Sequence, residues 1–249
     1  MVKQKLRSNM AMALGLLCLC GYTQTIANEV LDSAAAESQL VGKLYDLVSR
    51  RVYSKAVGVL DDLTLDYQSS SKHSVYQLEA MHANFKEEAY EKVATIADAY
   101  LAAYPYSKHV DYVMYMQALA LHHEYTADID NTMQSWMHLG EHDTTGLEKA
   151  QSVLGDFLTK YPDSVYYPDA ALLYKQVSDK LIANDFEVAR EYNASKAFFA
   201  SQDRLLRVIK SAYTKDMALR ALKVMESNYK AMRLDVAANV VKGIILLNQ

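Results

Sequence analysis

The sequence predicts an all-α protein built from repeated helix pairs, and three observations support this fold class. Only 3 Pro and 8 Gly occur among the 249 residues, so residues that interrupt helices are scarce. From about Gln39 to the end, apolar residues recur at intervals of three and four, as at Leu40, Leu44 and Leu47. Similar stretches also recur along the chain, which is typical of repeat architectures. Because 51% of the residues are apolar, such an array can bury a continuous core.

The first nineteen residues have the pattern of a secretory signal. Lys3, Lys5 and Arg7 precede an uncharged stretch over residues 10–20, which is too short to cross a bilayer. A basic head followed by a short apolar core is typical of signals that direct a chain out of the cytoplasm. We therefore expect residues 1–19 to be removed from the mature protein.

Two cleavage sites compete at the end of this signal. Leu17 lies three residues before Cys20 and Gly21 follows it, as in a bacterial lipoprotein signal whose Cys becomes acylated. The alternative is ordinary signal-peptidase cleavage after Ala27. Residues 20–38 are expected to form a tether, and the alternative for residues 28–38 is the frayed start of a helix. A lipid on Cys20 would hold the acidic chain on the membrane.

Four stretches of similar spacing define the body of the chain. They begin at Tyr53, Tyr90, Leu147 and Ala197, with a small residue three positions later and further apolar positions along one helical face. Two of them end in Tyr-Pro-x-Ser, where the proline stops the helix. The pattern resembles the second helix of a tetratricopeptide repeat. This resemblance implies an α-solenoid of about five such repeats.

The spacing of the repeats also predicts where the domains lie. Residues 39–123 are expected to hold repeats 1 and 2 and the first helix of repeat 3, and residues 146–247 the C-terminal repeats 3 to 5. The polar residues 124–145 between them are expected to form an insertion that projects from the array. Residues 169–197 are predicted to form one long helix.

The sequence carries no motif for catalysis, nucleotide binding or cofactor binding, so we expect neither an enzyme nor a cofactor. A net charge of −4 and the lack of a basic tract argue against nucleic-acid binding. His138 and His142 have the spacing of helical zinc ligands, but they lie in the polar insertion. We interpret them as solvated surface and expect no metal site.

Three tyrosines are candidates for contact with a bound polypeptide. Tyr67, Tyr104 and Tyr106 fall at predicted helix ends, beside the groove that helical arrays form. Tyrosine is rigid and amphipathic, which suits it to peptide contacts. The alternative for each of them is packing in the core.

Three segments narrow the resemblance further: His109–Leu119, Tyr161–Ala170 and Met225–Met232. Together they resemble the BamD family, the lipoprotein of the bacterial outer-membrane β-barrel assembly machinery. Where that family has an Asn-Arg pair, this chain has Asp203 and Arg204. The similarity runs over most of the chain and is strongest after His109.

The resemblance implies a non-catalytic scaffold at the periplasmic side of the outer membrane, anchored by lipid on Cys20. Its main partner would be a BamA-like barrel subunit, whose periplasmic domain nearest the membrane docks on the C-terminal repeats. Arg204 and Asp203 are implied to lie at this partner-binding surface. Arg204 is implied to pair with a carboxylate of the partner, although Asp203 offers a local carboxylate. Other assembly lipoproteins are implied as further partners.

The resemblance also implies a groove in the N-terminal repeats that receives unfolded outer-membrane proteins, and Tyr67 matches this groove by position. The family's proline after this tyrosine is Gln68 here. A different function is expected if cleavage occurs after Ala27. The chain would then be a soluble periplasmic repeat adaptor in another envelope process.

Overall fold

A computed structural model describes residues 31–131, 143–211 and 214–248. Within these ranges the chain forms ten helices and no strand, which confirms the predicted all-α fold. The helices are α1 (31–49), α2 (Tyr53–Asp66), α3 (His73–Lys86), α4 (Tyr90–Ala103), α5 (Val110–Asn131), α6 (Thr145–Lys160), α7 (Tyr167–Ala194), α8 (Phe198–Ser211), α9 (Lys215–Ala231) and α10 (Asp235–Leu247). Counted two by two in chain order, the ten helices of the described ranges match the number that about five two-helix repeats would supply.

The described helices fall into two compact units, divided between Glu88 and Ala89. The first unit holds α1 to α3, and α2 packs on α3. In the second unit each helix from α4 to α10 packs on the next one along the chain. The helices α5, α7 and α9, which open successive pairs, also contact one another in that order. They therefore line one common face of the second unit.

The long helix α7 connects two parts of the core in the second unit. One cluster of buried side chains joins α4, α5 and α6 to the N-terminal half of α7 through Leu173 and Val177. Another joins the C-terminal half of α7 to α8, α9 and α10 through Ile182 and Ala189. The prediction of one long helix after Asp169 is confirmed by the 28 residues of α7.

Helix α6 shows how the sequence specifies this packing. Its buried residues are Leu147, Ala150, Leu154 and Phe157, which lie three or four positions apart and so share one face. Ala150 is small enough to let a neighbouring helix approach closely. Phe157 is fully buried at the other end of the same face.

The turns inside four of the five pairs share a left-handed residue. Arg51, Glu88, Lys196 and Arg233 have φ between 56° and 62°. Each is the second residue after the end of a helix, namely α1, α3, α7 and α9 in that order. At Lys196 the next amide, that of Ala197, donates to the carbonyl of Tyr192 at 2.8 Å, which closes the end of α7. Glycine is the residue that this conformation favours, but none of the four is glycine.

The turns between pairs share a Tyr-x-x-Ser unit. The amide of Ser107 donates to the carbonyl of Tyr104, and Ser164 does the same to Tyr161. The amide of Ser70 donates to the carbonyl of Tyr67 at 3.0 Å, although no proline follows this tyrosine. The hydroxyl of Ser70 then donates to the carboxylate of Glu37 on α1 at 2.6 Å. In the same way, the hydroxyl of Ser164 donates to the carboxylate of Asp111 on α5 at 2.7 Å.

The structure refines the predicted segments in two places. Residues 31–38 of the expected tether are helical and belong to α1, as in the alternative of a helix start, because Glu37 is held there by side chains of the first unit. Residues 124–131, expected in the insertion, continue α5, since no Gly or Pro interrupts them. The signal segment 1–19, Cys20, Ala27, His138 and His142 lie outside the described residues.

None of the helices in the described ranges has a stretch long and apolar enough to cross a membrane. In the same ranges no three His, Cys, Asp or Glu side chains gather in a group that could hold a metal ion.

Candidate partner-binding site

Two arginines of α8 share one carboxylate of α7. Arg204 Nη1 donates to Asp185 Oδ1 at 2.6 Å, and Arg207 Nη2 lies 3.2 Å from the same oxygen. Arg204 and Arg207 are three residues apart, so they project from the same side of the helix. Because α7 packs on α8, this side faces Asp185. We call these three side chains the Arg204 cluster.

The Arg204 cluster combines partial burial with an excess of positive charge. The Asp185 side chain is only 19% exposed, whereas Arg204 is 32% and Arg207 52% exposed. Two guanidinium groups and one carboxylate leave one positive charge, and each guanidinium carries five N–H donors in a planar fork. The arginines therefore keep donors that a carboxylate of another protein can accept from.

Asp203 is not the partner of Arg204. It is exposed on α8, and consecutive residues of a helix point about 100° apart, so their side chains do not face each other. Arg204 instead reaches across to Asp185, which lies 19 residues earlier in the chain. No local pattern in α8 signals this partner, since only the packing of α7 on α8 brings Asp185 close.

A buried polar network braces the helices that carry the cluster. The fully buried Asn228 of α9 donates through Nδ2 to Ser201 Oγ of α8 at 2.9 Å. Ser201 Oγ donates to the carbonyl of Ala189 on α7 at 2.8 Å. Asn193 on α7 donates its side-chain amide to Asn228 Oδ1. Buried polar groups need such partners, so the network fixes the mutual positions of α7, α8 and α9.

The first unit contains a separate groove between α1 and α3. It has a volume of about 110 Å³, and apolar and aromatic side chains form most of its wall. Tyr45 and Val75 are exposed at this groove, so they are available to a bound side chain. The residues lining it are Val41, Leu44, Tyr45, Val48, Val75, Tyr76 and Glu79.

Hydrogen bonds to Glu37 hold one wall of this groove. Its Oε1 accepts from Ser70 Oγ at 2.6 Å and from the Tyr76 hydroxyl at 2.5 Å. The bonds from Ser70 and Tyr76 lower the pKa of the Glu37 carboxyl. Burial, together with the bond to Glu37, raises the pKa of Tyr76 to about 12. The contact ties α1 to α3 and to the Ser70 turn.

The three candidate tyrosines occupy different environments. Tyr67 is half-buried where α2 ends, in the first unit. Tyr104 is half-buried where α4 ends, in the second unit, and its ring centroid lies 5.1 Å from that of Tyr100. Tyr106, in the turn after α4, is 99% exposed. Of the three, Tyr106 leaves its whole ring free for an external contact.

Two curated proteins named outer membrane protein assembly factor BamD are similar to this chain. The one from Haemophilus influenzae is 26% identical over 199 residues, which is 79% of this chain and 74% of that protein. The one from Neisseria meningitidis serogroup B is 24% identical over 228 residues, 90% of this chain and 84% of that protein. The shared name of these two proteins states a role in outer membrane protein assembly.

Among solved structures, kinesin light chain TPR-like repeats from Podosopora anserina align with 85% of this chain and 93% of their own, at 12% identity and a TM-score of 0.36.

A family model supplies the broadest match. The YfiO model, described as outer membrane lipoprotein, matches residues 33–243 and so spans all ten helices in whole or in part. The chain belongs to the YfiO family of outer membrane lipoproteins.

Proposed function

We propose that this chain is a non-catalytic scaffold of outer-membrane protein assembly that docks the barrel subunit of the assembly machinery through its C-terminal repeats. The observation that carries the proposal is the Arg204 cluster, in which two arginines share one carboxylate and keep donors free. A carboxylate on the partner's periplasmic domain would pair with Arg204 or Arg207. Such pairing favours correct orientation and fast association.

The packing around the cluster supports this role. Helices α7 and α8 are joined to α9 by buried hydrogen bonds, so the arginines are presented on a braced surface. A partner then meets side chains that lose little freedom on binding, which reduces the entropic cost of association. Other assembly lipoproteins are further partners in this proposal.

The groove between α1 and α3 supports a second part of the proposal, that unfolded barrel proteins bind the N-terminal repeats. Its apolar wall and the exposed Tyr45 suit an apolar or aromatic side chain of an extended segment. Tyr67, Tyr104 and Tyr106 remain candidate contacts for the same clients. Acylation of Cys20 would hold the scaffold at the periplasmic side of the outer membrane.

Purification from detergent-solubilised membranes tests the docking. The tagged full chain is expected to bring down a large β-barrel protein, and Arg204→Glu should reduce its recovery. Lys210→Glu is the matched control, because Lys210 is an exposed cation at the end of the same helix. Recovery of the barrel protein at the same level with Arg204→Glu as with the unaltered chain would contradict the proposed site.

Mass spectrometry of the mature N-terminus tests the anchor separately. An acylated Cys20 supports the lipid-anchored scaffold. A mature chain that begins at Asn28 would contradict the anchor and favour a soluble periplasmic protein.

A further inference from the structure

Helix α10, at the end of the second unit, has apolar side chains on two sides. One side is buried in the core of this unit. The other side is exposed, and a turn of about 100° per residue places four large apolar side chains within an arc of about 80° on it. These are Val236, Val240, Ile244 and Leu247, and we call them the outer stripe. The end of a helical array normally presents polar side chains to water, so the outer stripe marks a contact surface.

The helices at this end of the second unit are basic, whereas the rest of the unit is acidic. Residues 196–249, which include α8 to α10, contain ten Lys and Arg and four Asp and Glu, a net charge of +6. Residues 89–195 contain seven Lys and Arg and sixteen Asp and Glu, a net charge of −9. The whole chain has a net charge of −4, so the positive charge is a local feature. An anionic surface would attract the basic end and repel the acidic helices.

Two exposed cations belong to α10 or directly precede it. Arg233 lies in the turn two residues before α10, and Lys242 lies on the helix itself. Neither side chain takes part in an ion pair with another of the described residues. Asp235 is the one acidic residue of α10, and it lies beside the outer stripe, on the same flank of the helix as Lys242. Both cations are therefore available to an anionic partner of this helix.

An anionic phospholipid surface satisfies the apolar and the basic character of this end together. Apolar side chains can enter the boundary between headgroups and acyl chains, while the long stems of Lys and Arg keep their charges at the phosphates. A second copy of this chain would bring the same positive charge to the same face and be repelled. The family to which the chain belongs is one of outer membrane lipoproteins, so phospholipid is a surface that its members meet.

We propose that the outer stripe of α10 rests on an anionic phospholipid surface, with Arg233 and Lys242 at the lipid phosphates. Helix α10 then lies in the plane of the interface, and α9 lies on its side away from the lipid. The contact uses no residue of the Arg204 cluster, so it stands whether or not the barrel subunit docks there. Where Cys20 carries a lipid, as proposed above, α10 is a second attachment that sets the orientation of the second unit on the membrane.

Vesicle flotation tests the proposal on the mature chain with Cys20→Ser, so that no acyl chain contributes. Vesicles of phosphatidylcholine alone are compared with vesicles that also contain about 30% phosphatidylglycerol. The chain should bind the anionic vesicles at least about ten-fold more strongly, and this difference should shrink as salt rises from about 50 to 300 mM. Equal binding to both kinds of vesicle, or binding to neither, would overturn the proposal.

Substitutions at equally exposed valines locate the contact on α10. Val236→Glu should lower binding to the anionic vesicles at least about ten-fold, because it places a negative charge in the outer stripe. Val165→Glu is the matched control, since Val165 is 82% and Val236 81% exposed and Val165 lies in the acidic part of the unit. Unchanged binding of Val236→Glu, or an equal loss in Val165→Glu, would overturn the proposal. If Val236→Glu fails to fold, Leu247→Ser decides in its place by the same criterion.

Neutral substitutions test the two cations separately from the outer stripe. Arg233→Gln and Lys242→Gln should each weaken binding to the anionic vesicles about five-fold at low salt. Lys108→Gln is the control, because Lys108 is an exposed cation in the turn after α4, and it should change binding little. Undiminished binding of the variant with both Arg233→Gln and Lys242→Gln would overturn the proposal.

A helix of another protein is the competing occupant of the outer stripe. Purification of the tagged chain and of Val236→Glu from detergent-solubilised membranes distinguishes the two. A protein that is lost with Val236→Glu, together with no binding of the unaltered chain to anionic vesicles, would assign the outer stripe to that protein and overturn the proposal. Binding to anionic vesicles that requires Val236 and the two cations supports it.

Discussion

The pairing of Arg204 with Asp185 predicts a measurable coupling between the two side chains in the free energy of unfolding. The two atoms lie 2.6 Å apart, and both side chains are less than one-third exposed. Ion pairs that are fully exposed contribute about 0.2–1 kcal/mol, and partial burial with a charge-assisted hydrogen bond raises this. We therefore expect a coupling free energy of about 1–2 kcal/mol between the two side chains.

A double-mutant cycle measures this coupling. The unaltered chain, Asp185→Asn, Arg204→Gln and the double variant are unfolded in urea and followed by circular dichroism. Lys175 and Asp179 provide the control cycle, because they also lie 2.6 Å apart on α7 but are both exposed. Their coupling should be about 0.3–0.5 kcal/mol. A coupling for Asp185 and Arg204 no larger than that of the control would refute the partial burial on which the estimate rests.

Three further predictions concern folding. Burial of the His122 ring and, to a smaller extent, the charges of Lys180 and His123 lower the pKa of His122 to about 4. As the pH falls, His122 therefore takes up a proton in the unfolded chain before it does so in the folded chain. Allowing for the partial exposure of His122, the free energy of unfolding should fall by about 1–2 kcal/mol between pH 6.5 and 4. Urea unfolding of His122→Gln should show a decrease that is smaller by this amount. Lys196→Gly should raise the free energy of unfolding by about 0.5 kcal/mol, because glycine adopts the φ of 62° at this position without strain. Lys196→Ala should not raise it. Equal free energies of unfolding for the two variants would contradict this reasoning. Phe157→Ala should lower the free energy of unfolding by about 3–5 kcal/mol, because the ring is fully buried, and Phe157→Leu should lower it clearly less. Thermal and urea unfolding measure both changes. A loss below about 1 kcal/mol for Phe157→Ala would show that the ring is not buried in the core.

The repeated helices could be predicted from the sequence because their signal is local. In α6 the apolar residues Leu147, Leu154 and Phe157 repeat at helical spacing, and Pro162 marks the end of the helix. The family resemblance rests on short motifs of about ten residues, and the match of the YfiO model over residues 33–243 confirms it.

Contacts between helices distant in the chain could not be predicted in this way. Asp185 precedes Arg204 by 19 residues. Nothing in the sequence around Asp185 distinguishes it from the other acidic residues of the chain. Glu37 lies in a small, polar stretch that suggests a tether, yet Ser70 and Tyr76 hold it in α1 from 33 and 39 residues away. Both partners become visible only once the helices are packed.

Tyr67 shows a different limit of sequence reasoning. The absence of a following proline suggests a changed loop, but the Ser70 amide still bonds the Tyr67 carbonyl as in the proline-containing turns. The hydrogen-bonding serine is present in all three turns, so the turn forms without the proline.

Affinity between the purified chain and the barrel subunit's periplasmic domain nearest the membrane tests the central claim most directly. Biolayer interferometry should show binding that weakens at least about ten-fold with Arg204→Glu and changes little with Lys210→Glu. Replacing the partner's pairing carboxylate by arginine should restore binding to Arg204→Glu. Equal affinity of the unaltered chain and Arg204→Glu would contradict the claim that this cluster docks the assembly partner.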